Sequence, residues 1–206
     1  MYKSQKGMTL LEVIIVLGIM GVIAAGVVVL AQRAIDNQNT TKLSQALNVI
    51  QTAMVQSYRS QKSYPAVKTT ADSEKLNKAL VSMGKVTQSD LVNPFTGQTL
   101  EVLTTKDNKA DNRGFAIKVA NMSQAQCRAL ISSSSDLFAF IEVGAAGSAL
   151  AADMYVDPTA NQPTGVIKST KGGANQFDIT NLDHLTNLCG GDAGATNYYD
   201  IFLGNR

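Results

Sequence analysis

Glu12 is an acidic side chain set in a stretch otherwise fit for lipid. Residues 8–31 carry two polar side chains, Thr9 and Glu12, and residues 13–30 carry none. A carboxylate at mid-membrane depth costs about 2.5–3.5 kcal/mol on insertion scales, so it calls for a partner of opposite charge. Residues 8–31 contain no Lys, Arg or His. The partner must come from another chain, from a lipid headgroup, or from a charge that chemistry creates. Hydrolysis of the bond between Gly7 and Met8 creates one: the α-amino group of Met8, four residues from Glu12. The same cut removes Lys3 and Lys6. It leaves an apolar rod with a small ion pair at its tip, closed within one chain or between neighbouring helices.

The remaining candidates for chemistry are few. Cys127 and Cys189 are the two cysteines, 62 positions apart. Outside the cytoplasm one disulfide between them is expected, contributing roughly 4 kcal/mol by loop entropy; two free buried thiols are the alternative. The single histidine, His184, is expected on a polar helix face rather than in a catalytic or metal site. Asp107 and Asp111 flank Lys109 in what reads as a solvated turn. No zinc-spaced Cys/His cluster, no G-x-S-x-G and no P-loop occurs in the sequence. No enzymatic activity, cofactor or metal is expected. The net charge of +2 comes from Lys3 and Lys6; beyond residue 7 the chain has 16 basic and 16 acidic residues. It shows no run of Lys/Arg of the kind that binds nucleic acid. Near-zero net charge does nothing to oppose self-association.

These residues need elements to hold them. The basic residues 1–7 should stay cytoplasmic and the apolar run after them is long enough to span a bilayer. No small-residue cleavage site follows before Arg33, so ordinary signal-peptide removal is not expected. Residues 32–60 lack Pro and Gly, and Leu43, Leu47, Ile50, Met54 and Tyr58 are spaced 4, 3, 4 and 4, with Ala46 and Ala53 widening the stripe. That pattern predicts an amphipathic helix. A single helix over residues 8–60, roughly 80 Å long, is therefore expected, ending before Tyr64-Pro65. Its domains would be a leader over 1–7, a helix over 8–60 and a globular head over 61–206. Within the helix, 8–31 would be transmembrane or filament core, and 32–60 amphipathic and packed on the head.

In the head, a helix over 72–83 should stop at Gly84, and Thr87 with Asp90 should cap another turn. A turn is expected at 93–97. Strands are expected at 100–104 and 115–119, joined by a polar loop over 106–113. Ser123 should cap a helix running through Ile131. The sequence FAFIEV (138–143) reads as a strand. Residues 145–164 read as a long surface loop, 166–167 and 177–179 as weak strands. Thr180 should cap a helix to Leu188, and 198–203 should be a closing strand. The fold class is α+β: a long N-terminal helix, apolar then amphipathic, packed on an antiparallel sheet.

Gly7 followed by Met8-Thr-Leu-Leu-Glu12 and an unbroken apolar run resembles the leader and N-terminus of type IV prepilins. Methionine after the cleavage site is similar to the type IVb subclass. "GVVVLAQRAIDNQNTTK", "SYPA", "NPFTG", "GFAIKV", "SQAQCRALI", "GVIKS" and "ITNLDHLTNLC" extend the likeness to the major pilins of the toxin-coregulated pilus and related enteric pili. It covers essentially the whole chain, most tightly over 7–42. The departures are a leader shorter than is usual for the subclass, and residues 144–165 and those after Cys189. The resemblance implies that prepilin peptidase cuts after Gly7 and methylates the new N-terminus at Met8. It implies that Glu12 is the assembly glutamate and that Cys127 and Cys189 are disulfide-bonded.

The expected function is then a major pilus subunit and not an enzyme, a homo-oligomer in a helical filament serving adhesion, bacterial aggregation and colonisation. Its other partners would be prepilin peptidase and the inner-membrane assembly machinery. It would sit in the bacterial inner membrane with its head in the periplasm before joining an extracellular pilus. A minor pilin or a type II secretion pseudopilin is the alternative. A signal-anchored periplasmic domain that never polymerises would leave Gly7 and Glu12 unexplained.

Overall fold

The computed structural model describes residues 9–190 and 198–206. The chain divides into two compact units, Met1–Gln38 and Asn39–Arg206. The first helix, α1, is continuous over Leu10–Tyr58. In the first unit every described side chain is exposed, including Leu10 at 79% and Val22 at 76%.

In the second unit α1 buries Leu43, Ala46, Leu47, Ile50, Ala53 and Met54, the face that the periodicity of the sequence marks out. Each large apolar side chain so buried contributes about 1.5–3 kcal/mol. The helix leads into Tyr64-Pro65, where a proline forbids continuation. Tyr64 stacks edge-on between Tyr58 and Phe115, at 5.8 and 5.0 Å between ring centres.

Helix α2 (Thr70–Ser82) starts two residues earlier than the sequence suggests, because Thr69 is the cap: its hydroxyl accepts from the Asp72 N–H at 3.2 Å. Gly84 stops it at a φ of +65°, the left-handed conformation glycine adopts freely. Thr87 and Asp90 form a capping box on a 3-10 turn over Gln88–Leu91. Helix α3 (Gln124–Ser134) is capped by Ser123, whose hydroxyl and the Gln126 side chain satisfy each other's backbone N–H.

Five strands, β1 (Glu101–Asp107), β2 (Ala110–Ser123), β3 (Phe140–Ala145), β4 (Gly165–Lys168) and β5 (Tyr198–Asn205), form one antiparallel sheet in the order β1-β2-β5-β3-β4. The polar loop expected over 106–113 is instead the tip of a hairpin. Asn108 and Lys109 have φ of 51° and 66°, the two-residue turn whose twist suits paired strands. Without a glycine in the turn, the sequence conceals it. The last strand, β5, lies in the middle of the sheet rather than at its margin. Residues 177–179 are not a strand, although the Phe177 N–H donates to the Ile167 carbonyl at 2.8 Å and its ring is buried.

The stretch after β3 does not simply lie on the surface. One face of the sheet carries Phe115, Ile117, Ile201 and Leu203 into the core shared with α1. The reverse face carries Ala116, Phe140 and Phe202, and Met154 from the long loop covers them. Gly114 and Gly204 leave the room: a Cβ on Gly204 would stand 2.5 Å from both the Met154 Cε and the Phe115 carbonyl oxygen. Gly204→Ala is therefore expected to lower stability by about 1–3 kcal/mol through overpacking. In thermal unfolding of the detergent-solubilised subunit, Tm should fall by roughly 5 °C. An unchanged Tm would show that the loop has slack.

Beneath that loop, an ion pair between a half-buried lysine and a buried aspartate fixes the bulge in β2. The Lys118 ammonium lies 3.0 Å from the Asp200 carboxylate. The same carboxylate accepts from the Asn121 N–H at 3.0 Å and the Gly147 N–H at 2.9 Å. Asn121 holds a φ of 58° there. Hydrogen bonds to every side of a buried carboxylate are what make its burial tolerable.

Candidate assembly surface

Glu12 occupies the first turn of α1. Thr9 immediately precedes the helix, and its hydroxyl accepts from the Glu12 N–H at 3.3 Å. Its carbonyl accepts from the Glu12 and Val13 N–H groups at 3.1 and 3.3 Å. Thr9-Leu-Leu-Glu12 is thus a Thr-x-x-Glu helix start, a signal present in the sequence beside the charge anomaly. A carboxylate here also faces the positive end of the helix dipole. Local helix chemistry therefore accounts for part of the preference for an acid at position 12. It does not account for the apolar residues around it.

Those residues form a single exposed apolar surface. The helix holds a window of mean hydropathy 3.1, none of it buried within the subunit. A continuous apolar surface of this extent belongs against lipid or against other copies. Gly18, Gly21 and Gly26 lie within it, and a Cβ at any of them would meet nothing within 4 Å. No contact among the described residues requires glycine there, although each costs about 1 kcal/mol of helix propensity against alanine. Gly7 and Met8, the residues expected at the cleavage site, and the rest of the leader over 1–7 lie outside the described residues.

The structure joins Cys127 and Cys189 in a disulfide, with 6.2 Å between their Cα atoms. Cys127 sits in the first turns of α3 and both cysteines are fully buried. The bond ties α3 to the chain leaving α4 (Leu182–Asn187). Arg128 strengthens the same junction, donating to the Leu188 carbonyl at 2.7 Å and the Thr186 carbonyl at 3.0 Å. These carbonyls end α4 and lack partners within it, so a cation there is doubly favourable.

His184 is not on a polar face as its neighbours suggest. It is buried, stacks on Phe177, and its Nδ1 accepts from the Asp178 N–H at 3.0 Å. Helix α4 is capped by Asn181 rather than Thr180, because the Asn181 side chain accepts from the Asp183 N–H at 2.9 Å. Thr180 instead donates to Asp178, and the Thr180 backbone and hydroxyl hold the Asp178 carboxyl below its usual range. Asp107 is also no solvated turn residue: it accepts from the Thr170 hydroxyl and pairs with Arg206. Asp111 does face solvent, 3.4 Å from Lys106. Among the described residues, no three His, Cys, Asp or Glu side chains are placed to hold a metal.

Comparison with known proteins bears on both units. Residues 79–204 match the family model described as toxin-coregulated pilus subunit TcpA. Residues 2–28 match the prokaryotic N-terminal methylation motif. The chain is 48% identical to the toxin coregulated pilin of Vibrio cholerae serotype O1, El Tor Inaba, over 94% of its own length and 88% of that protein's. It is 47% identical to a second Vibrio cholerae toxin coregulated pilin, over 92% of its length and 87% of the other's. It is similar to the crystal structure of TcpA, a type IV pilin from the El Tor biotype. The TM-score is 0.75 at 38% identity, covering 82% of this chain and 99% of that one.

Proposed function

The chain belongs to the toxin-coregulated pilus subunit family of type IV pilins, and from that premise we propose that it is the major structural subunit of a type IVb pilus. One observation carries the reading most: an exposed apolar helix half, with a single acid in its first turn, overlaps the matched methylation motif over residues 10–28. Prepilin peptidase removes residues 1–7 after Gly7, and Met8 becomes the methylated N-terminus. Residues 8–31 hold the subunit in the inner membrane, the Leu43–Met54 stretch of α1 packs on the head over 61–206, and the head faces the periplasm.

The assembly machinery then transfers the apolar helix from lipid into the core of a helical filament. Both settings are apolar, so no hydrophobic surface passes through water. Glu12 sets the axial stagger by pairing with the Met8 amine of a neighbour. The assembled fibre stands outside the cell and serves adhesion and aggregation.

The test is to shear surface fibres from the producing bacterium and identify their main protein. This chain should predominate; its absence would end the reading. Gly7→Leu should leave the full-length precursor in the membrane and no fibres. A mature-sized band from that variant would contradict cleavage after Gly7.

A further inference from the structure

The sequence has no basic run, yet the fold gathers one. Arg59 and Lys62 follow α1, Arg113 lies in β2 beside the hairpin turn, and Arg206 follows β5. Together with Asp107 they surround a cavity of about 420 Å³. Arg206 is committed, 3.8 Å from Asp107. Arg59, Lys62 and Arg113 are exposed, and none of the ion pairs among the described residues engages them.

Further along the sheet, α2 and β1 present the opposite charge. Glu74, Glu101, Lys118 and Asp200 line a second cleft of about 490 Å³. Lys118 is committed to Asp200. Glu74 is exposed, and Glu101 accepts the Thr70 hydroxyl, a neutral donor, at 3.1 Å. Among the described residues, neither carboxylate has a cation within ion-pair distance. Glu101 pairs in register with Lys118, and Arg113 lies five residues back along β2. At about 3.4 Å per residue the two patches are roughly 17 Å apart. Beyond a Debye length of about 8 Å they are too far apart to neutralise each other within one subunit.

We propose that the cationic concavity of one subunit receives the Glu74–Glu101 edge of the next copy in the filament. The patches differ, so the contact is heterologous, and a heterologous contact that does not close on itself propagates as an open helix. A foreign polyanion would satisfy the three cations and leave Glu74 and Glu101 unmatched. A second copy satisfies both, in a chain whose charges balance once residues 1–7 are set aside. The inference rests on the filament reading.

The experiment uses the full chain in its bacterium and reads the ratio of sheared filament to membrane-held subunit, with disulfide closure checked. Arg59→Glu with Arg113→Glu, and Glu74→Lys with Glu101→Lys, should each lower that ratio about tenfold or more. All four substitutions together should restore it to within about threefold. A normal ratio in either reversed pair overturns the contact. So does a loss that the combination does not restore, including one accompanied by lost binding of heparin, which would assign the concavity to a polyanion. If the unaltered chain never enters sheared fibres, the filament reading itself has failed, whatever the variants do.

Discussion

Replacing Glu12 with valine is expected to leave the subunit made, processed and held in the membrane, and to abolish filaments. The size of the loss separates two roles for this residue. As a helix-terminal acid, Glu12 contributes about 0.3–1 kcal/mol, which a cell making filaments would tolerate as a fall of at most about fivefold. As one half of an ion pair in an apolar filament core, its removal strands the other half, and a stranded buried charge costs about 3–5 kcal/mol. That is a factor of at least about a hundred in subunit addition, since each 1.4 kcal/mol is tenfold. Glu12→Gln sharpens the choice. Glutamine at this position leaves the backbone N–H that donates to the Thr9 hydroxyl in place and loses the charge. Filament loss with both valine and glutamine is the expected result. Near-normal yield with glutamine would show that the charge is dispensable and sink the pairing.

The second large effect should follow from opening the disulfide. Replacing both Cys127 and Cys189 with alanine avoids leaving a lone buried thiol. A 62-residue separation implies a loss of roughly 4 kcal/mol on loop-entropy grounds. Tm of the solubilised subunit should fall by roughly 10 °C or more. Protease cleavage should appear first near α4, which would then be tied to α3 by the Arg128 hydrogen bonds and packing without a covalent link. A fall in Tm of under about 2 °C would show that the packing of Phe177 and His184 is enough to hold the region.

Local signals in the sequence translated faithfully into structure. The stripe of Leu43, Leu47, Ile50 and Met54 is the buried face of α1, and Ser123, Gly84 and the Thr87–Asp90 pair start and stop elements where their chemistry requires. Glu12 was conspicuous because one charge stands out against an apolar run. What stayed hidden depends on contacts distant in sequence. The central place of β5 depends on pairing with β2 and β3, which no local pattern encodes. Met154 reads as a loop residue until the reverse face of the sheet is seen to need cover. His184 looks polar among its neighbours until Phe177 folds back onto it. The cationic concavity draws on residues 59, 62, 113 and 206, so no window of the sequence contains it.

Intact-mass spectrometry of the chain from sheared surface filaments tests the central claim most directly. The expected mass is that of residues 8–206 with one added methyl group and two hydrogens lost to the disulfide. Fragmentation should place the methyl group on the amine of Met8. A chain that retains residues 1–7, or begins anywhere other than Met8, would contradict the claim, because Glu12 would then have no amine four residues away to meet.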